Sequence, residues 1–197
     1  MVLRRIIGLA MLLGLGAIVP AAGQDLLTPQ PLAGVVDELR FGIHAHDVDY
    51  AALPFRWSEW KLDQIEDVSF DVLFVSPDID AFRWIGSPRP ELGATLNLDG
   101  QDSIAHLALT WQLPVFDTPI YLEGSFGGAA HTGYNTGAPP GLKSFGCTIN
   151  FYERFGIGTH IGDNATATLT YEHTSNNNYC AANDGLSNVG LRLGWKF

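Results

Sequence analysis

The chain has 197 residues, 46% of them hydrophobic, with 22 glycines, two cysteines and a formal net charge of −10. That acidic balance argues against nucleic acid as a partner, since a phosphate backbone binds cationic surfaces. The length allows one domain or one small barrel and excludes two sizeable domains.

The first segment, MVLRRIIGLAMLLGLGAIVPAAG, sets Arg4 and Arg5 before an apolar run from Ile6 to Val19, with small residues Ala21 and Gly23 after it. The run is 14 residues long, short of the ~20 that a membrane helix needs, and a small-residue cleavage site follows it directly. Residues 1–23 are therefore expected to be a removed export signal and 24–197 a single domain. Losing Arg4 and Arg5 takes the charge from −10 to −12.

After Gly23 no apolar stretch suits a helical span, and alternation with period two takes over. Eight segments read as strands: 37–46, 67–76, 89–99, 103–113, 118–130, 144–155, 165–176 and 187–197. The first sets Leu39, Phe41 and Ile43 against Glu38, Arg40, Gly42 and His44, and the second sets Val68, Phe70 and Val72 against Ser69 and Asp71. In the third, Leu92, Ala94 and Leu96 oppose Glu91, Gly93 and Thr95; in the fourth, Ala105, Leu107 and Leu109 oppose His106, Ala108 and Thr110. The sixth places Phe145, Cys147, Ile149 and Phe151 on one face, with Asn150, Tyr152 and Arg154 on the other. The seventh aligns Ala165, Ala167, Leu169, Tyr171, His173 and Ser175 against Thr166, Thr168, Thr170, Glu172 and Thr174. The last sets Val189, Leu191, Leu193, Trp195 and Phe197 against Gly190, Arg192, Gly194 and Lys196, and stops on an aromatic residue.

Alternation alone also fits a soluble sandwich. The polar faces, however, mix Glu38, Arg40, Asp71, Glu91, Glu123, Arg154, Glu172 and Arg192, which suits the packed interior of a narrow barrel. Trp111, Tyr121, Tyr171 and Trp195 lie near strand ends, where a membrane girdle needs aromatics, and an even strand count is the bacterial rule. The expected fold is all-β: an eight-stranded antiparallel transmembrane β-barrel of the bacterial outer membrane. With the chain entering from the periplasm, the links at 47–66, 99–100, 131–143 and 177–186 are extracellular. Those at 77–88, 114–117 and 156–164 are periplasmic, the first of them long for such a turn. Trp57-Ser58-Glu59-Trp60, in the first extracellular link, reads as a surface anchor.

Three constellations bear on chemistry. His173 and Ser175 stand two residues apart, so a strand puts both on one face, where an imidazole can activate a hydroxyl. They share the apolar face, which points them at lipid near the outer leaflet and makes a lipid the natural substrate. Cys147 and Cys180 belong to an exported chain, where a disulfide is expected; two buried free thiols are the alternative, and neither cysteine has a second metal ligand at short spacing. His44 and His46 read as a packed pair in the lumen in preference to a metal site, having no third ligand.

His173-Thr174-Ser175-Asn176, followed ten residues from the histidine by Asn183-Asp184-Gly185 and then by the closing strand to Phe197, resembles the lipid A 3-O-deacylases of the PagL type. The resemblance implies an outer-membrane esterase that removes the 3-linked hydroxyacyl chain of lipid A, the anchor of lipopolysaccharide, without metal or cofactor. Carried over by position, Ser175 matches the nucleophile and His173 the general base, while Asn176 and Asn183 match residues that support the oxyanion and the loop. Fourteen residues after the histidine, where the family's best-known members carry a glutamate that orients the imidazole, this chain has Ser187. A neutral acceptor there can still fix an imidazole tautomer, though it stabilises an imidazolium less. Glu153 and Asp184 are the nearby carboxylates that could substitute, and a Cys147–Cys180 bridge would pin the loop that carries Asn183. The competing readings are a barrel of the same fold that binds lipopolysaccharide or stiffens the membrane without catalysis, and a soluble exported sandwich. Homodimerisation is left open.

Overall fold

The computed structural model describes residues 34–48 and 61–197; the expected export signal and the anchor at 57–60 lie outside the described residues. The alternating segments form eight strands: β1 (Val36–Ala45), β2 (Ile65–Phe74), β3 (Arg89–Asn97), β4 (Ile104–Pro114), β5 (Ile120–His131), β6 (Ile149–Ile161), β7 (Ala165–Ser175) and β8 (Leu186–Lys196). Each pairs antiparallel with its neighbours in sequence, and β8 returns to β1 with Leu193 opposite Phe41, which closes the barrel.

Burial separates the barrel from a sandwich. Glu38, Arg40, Glu91, Arg154 and Arg192 are fully inaccessible, whereas Phe41, Leu107 and Leu193 stand 64%, 65% and 58% exposed. A soluble fold buries the apolar face; here the polar face is inside and the apolar face outside, the arrangement that lipid demands. The lumen is filled by ion pairs. Arg40 reaches Glu123 at 2.7 Å and Glu38 at 2.9 Å, Arg154 reaches Glu91 at 2.5 Å and Glu123 at 3.2 Å, and Arg192 reaches Asp71 at 2.8 Å and Glu172 at 2.6 Å. His44 meets Ser69 at 2.8 Å and His46 meets Asp67 at 2.9 Å, so both imidazoles are packed lumen side chains with protein partners. Asp71, Glu91 and His106 also converge, but Arg154 and Arg192 already neutralise those carboxylates, which makes the cluster a node of the ion-pair network.

At the end of the barrel where β7 finishes and β8 begins, the polar lumen is capped by an apolar plug in which Ile104, Ala108, Ala129, Phe145, Tyr152 and Leu186 pack together. Phe145 was expected on the outer face of the sixth strand; it is instead buried and stacked on His131 at 4.1 Å. The strand itself begins later and ends later than alternation suggests, so Cys147 lies in the loop before β6 and the link between β6 and β7 contracts to 162–164. Two glycines explain the shift. Gly146 adopts φ 82°, which breaks the extended run between Phe145 and Ile149. Gly158 faces the lumen under the Tyr121 ring, where a Cβ would come within 2.3 Å of the ring carbon, so the inward half of the alternation carries no side chain there and is invisible in sequence. The long 77–88 link contains a short helix, α1 (Asp80–Trp84), whose Arg83 pairs with Asp78 at 2.6 Å and Asp80 at 2.8 Å.

Candidate active site

The strand β7 carries His173 and Ser175 to the rim at its C-terminal end, both on the outer face of the wall. Register sets their neighbours: Ser175 stands opposite Phe151 on β6, and His173 stands between Glu153 on β6 and Ser187 on β8. Adjacent strands bring such pairs within side-chain reach. His173 Nδ1 and Ser187 Oγ are 2.8 Å apart, and the Tyr171 hydroxyl donates to the same Ser187 oxygen at 3.0 Å. The residue at the family's orienting position therefore does meet the imidazole, as a hydroxyl.

The outward parity holds, but the expectation that the whole site faces lipid does not. His173 is 5% exposed and Ser187 is fully buried, while Ser175 is half-buried. The chain leaving β1 folds back over this part of the wall: the Val48 amide donates to the Ser187 carbonyl at 2.8 Å and the Asp47 amide to Asn188 Oδ1 at 3.0 Å. Val48 and Ala45 then pack on Tyr171 with Val189 beside them. Ser175 is the member left partly open, and its register partner Phe151 and its chain neighbour Asn176 help to line an apolar cavity of about 260 Å³ with Gly128, Ile149 and Tyr179. A second apolar cavity, about 240 Å³, lies one row lower and is walled by Phe155, Ile157, Leu169, Tyr171 and Val189.

The loop after β7 is built around Asn176. Its side-chain amide donates at 2.5 Å to both the Phe145 and the Ala182 carbonyls, its Oδ1 accepts from the Cys180 amide at 3.3 Å, and its own amide donates to Asn183 Oδ1 at 2.8 Å. Both amide hydrogens of Asn176 are thus committed to the loop. Asn177 and Asn178 take left-handed conformations, φ 53° and 61°, which asparagine tolerates better than most residues. Cys147 and Cys180 form a disulfide with Cα atoms 5.6 Å apart, tying this loop to the segment before β6. Asp184 accepts from the Ser144 amide at 2.7 Å and donates its own amide to the Ser144 carbonyl, so its carboxylate serves the same loop junction. Glu153, half-buried, remains the carboxylate in register with His173.

The structure thus brings His173, Ser187 and Glu153 into one row, with Ser175 a residue pair above, and gathers Asn176, Asn183, Asp184 and the disulfide into the adjoining loop. Sequence reasoning missed three contributors. Tyr171 read as a girdle aromatic, although its place on the His173 face two residues away was a usable signal. Gly146 is needed because the Ala182 carbonyl and Asn176 Nδ2 crowd its α-carbon, and its neighbour Cys147 hinted at that junction. Val48 gave no signal.

A closed eight-stranded barrel, apolar outside and ion-paired inside, with a His-x-Ser pair in the outer face of its rim, defines a barrel of the bacterial outer-membrane class. The family model described as lipid A 3-O-deacylase (PagL) matches residues 53–196, and the chain belongs to that family. Among solved structures, the crystal structure of the outer membrane enzyme PagL aligns with TM-score 0.50 and 15% identity, over 81% of this chain and 99% of that one. The N-terminal β-barrel domain of Pseudomonas aeruginosa OprF aligns equally well, with TM-score 0.50 and 11% identity over 82% and 97%. These likenesses concern the fold. No curated protein matches the sequence.

Proposed function

We propose that the protein is an outer-membrane esterase that hydrolyses the 3-O-linked hydroxyacyl ester of lipid A, with Ser175 as nucleophile and His173 as general base. The observation that carries this reading is the outward His173–Ser175 pair on β7, with His173 Nδ1 2.8 Å from Ser187 Oγ, in a chain of the lipid A 3-O-deacylase family. Lipid enters from the bilayer, with its ester at the rim and its acyl chain along the apolar wall. Ser175 Oγ attacks the ester carbonyl as His173 takes its proton. The tetrahedral intermediate collapses, the carbon–oxygen bond to the lipid alcohol breaks, and that alcohol leaves with the proton from His173. Water then attacks the acyl-Ser175 ester, giving up a proton to the imidazole; the hydroxy fatty acid departs and Ser175 regains its hydrogen. A serine hydroxyl needs such a base because it is a weak nucleophile at its own pKa.

The second reading, a non-catalytic barrel that binds lipopolysaccharide or stiffens the membrane, draws support from one observation: Ser187 stands where the resemblance expects a glutamate. Mass spectrometry of lipid A from cells expressing the protein separates the two. Loss of one hydroxyacyl chain, abolished by Ser175→Ala at equal barrel yield, is the expected result. Unchanged lipid A at good yield hands the case to the non-catalytic reading.

A further inference from the structure

The barrel wall is uneven at the end where β2 gives way to β3. Strands β3 and β4 stay paired only as far as Arg89 opposite Thr110, whereas β4 and β5 continue through Trp111, Gln112 and Leu113 to Pro114 opposite Tyr121. Trp111 and Leu113 follow Leu107 and Leu109 on the outer face, so the lipid side of β4 runs on where β3 offers no neighbouring strand.

The 77–88 link occupies that gap. Trp111 Nε1 donates to the Ile85 carbonyl at 2.7 Å, and a Cβ on Gly86 would lie 3.5 Å from the same indole. Gly86 and Ser87, at φ 90° and 51°, turn the chain back towards β3, while the Ser87 amide donates to the Phe82 carbonyl at 2.7 Å. Being tied to an outward side chain, the link stands on the flank of the wall and not beneath the lumen. It also exposes more apolar surface than a turn in water needs: Trp84 is 94% exposed, and Ile79 and Ile85 are exposed beside it. Phe116, 91% exposed in the β4–β5 link at the same end, stands out likewise. Single exposed apolar residues are ordinary, but a cluster continuous with an apolar wall marks a contact surface. The cation of the link, Arg83, is paired with Asp78 at 2.6 Å and with Asp80 at 2.8 Å, both exposed. An indole next to paired charges suits the headgroup boundary, where a side chain meets an apolar and a wet side at once.

We propose that the 77–88 link is a membrane-interface anchor, seated on the outer flank of the barrel at the headgroup boundary of one leaflet, with Trp84 as its main contact and phospholipid as its partner. Continuity with the lipid-facing wall selects lipid over protein, since a protein seated on α1 would have to displace the bilayer from Trp111 and Leu113. The anchor also gives a reason for the length of this link, when the other strand connections at this end are only 115–119 and 162–164. It rests on the outer-membrane fold and is independent of the deacylase reading.

The test is ¹⁹F NMR of the full barrel, labelled with 5-fluorotryptophan, in nanodiscs of phosphatidylethanolamine and phosphatidylglycerol. The Trp84 signal is identified by its loss in Trp84→Phe, a conservative change at an exposed position. Trp195, on the outer face of β8 opposite Leu39 and at the same end of the barrel, serves as the lipid-facing reference. A nitroxide carried near the top of the lipid acyl chain should broaden the Trp84 signal about as strongly as that of Trp195, and a water-soluble gadolinium chelate should broaden it less. Strong broadening by the chelate with none from the lipid nitroxide puts Trp84 in water and overturns the proposal. Protection from both means that protein covers the face, a second copy being recognised by native mass spectrometry, and overturns it as well. Trp84→Asp adds an independent readout: the folding equilibrium constant in vesicles of the same lipids, taken from the urea midpoint, should fall several-fold. A side chain in water would leave it within about twofold, and that result too would count against the anchor.

Discussion

A single asparagine shows how tightly the rim is specified. Asn176 is 2% exposed, and its amide bridges two carbonyls that belong to different loops, Phe145 from the segment before β6 and Ala182 from the segment after β7. Asn176→Ala strands the buried Phe145 carbonyl, deprives the part-buried Ala182 carbonyl of its donor and also removes the acceptor of the Cys180 amide. An unpaired buried polar group costs about 1–3 kcal/mol. The loss falls on the loop and spares the strands, because the register from Ala165 to Thr174 owes nothing to Asn176. The variant should therefore keep the heat-dependent gel shift of a folded barrel while its 176–185 loop becomes sensitive to protease and its deacylation falls at least tenfold. A loop as resistant as wild type would show that the disulfide alone holds the rim. Legibility differs sharply among residues of this kind. His173 and Ser175 could be placed from spacing, since two residues along a strand share a face; Asn176 came with the family motif, and what it binds could not be read, since its acceptors lie 31 and 6 residues away.

Among the elements, β6 and its approach carry most of what sequence left hidden. Alternation placed seven strands within a few residues but misplaced β6, because an inward glycine under Tyr121 erased the pattern at one end and a left-handed glycine broke it at the other. The outcome matters for the disulfide. Since Cys147 lies before the strand and not in it, the bridge to Cys180 joins two loops, not a strand and a loop. Its sequence separation of 33 corresponds in the chain-entropy picture to about 3–4 kcal/mol of constraint on the unfolded chain. Replacing both cysteines by serine should lower the urea midpoint in vesicles accordingly, yet leave strand content by circular dichroism unaltered. Proteolysis should cut within 132–148 or 176–185 well before the barrel opens. A double variant whose loops resist protease as wild type does would assign the rim's order to Asn176 and the Asp184–Ser144 junction instead.

At the scale of the whole molecule, the barrel has an apolar core confined to small clusters at one end, and most of its lumen is polar. Its outside is matched to lipid and its inside is a lattice of three buried arginines and the carboxylates around them, closed above by the plug that contains Phe145 and Leu186. Arg154 is the node of that lattice: it holds Glu91 at 2.5 Å, Glu123 at 3.2 Å and the Tyr152 hydroxyl at 3.3 Å. Glu123 keeps Arg40 when Arg154 is lost, but Glu91 is left with His106 and the Thr110 hydroxyl alone. Removing one partner of a buried pair costs about 3–5 kcal/mol, because the remaining charge has neither water nor counter-ion, whereas removing both partners together is often close to neutral. Arg154→Met should therefore lower the stability of the barrel in lipid vesicles by about that amount, read as the shift in urea midpoint of tryptophan fluorescence. Arg154→Met with Glu91→Gln should recover most of the loss, a coupling of the size expected for residues in direct contact. Equal midpoints for wild type and Arg154→Met would mean that the lumen admits enough water to solvate Glu91, and that the stability of the barrel resides in its wall and lipid face alone.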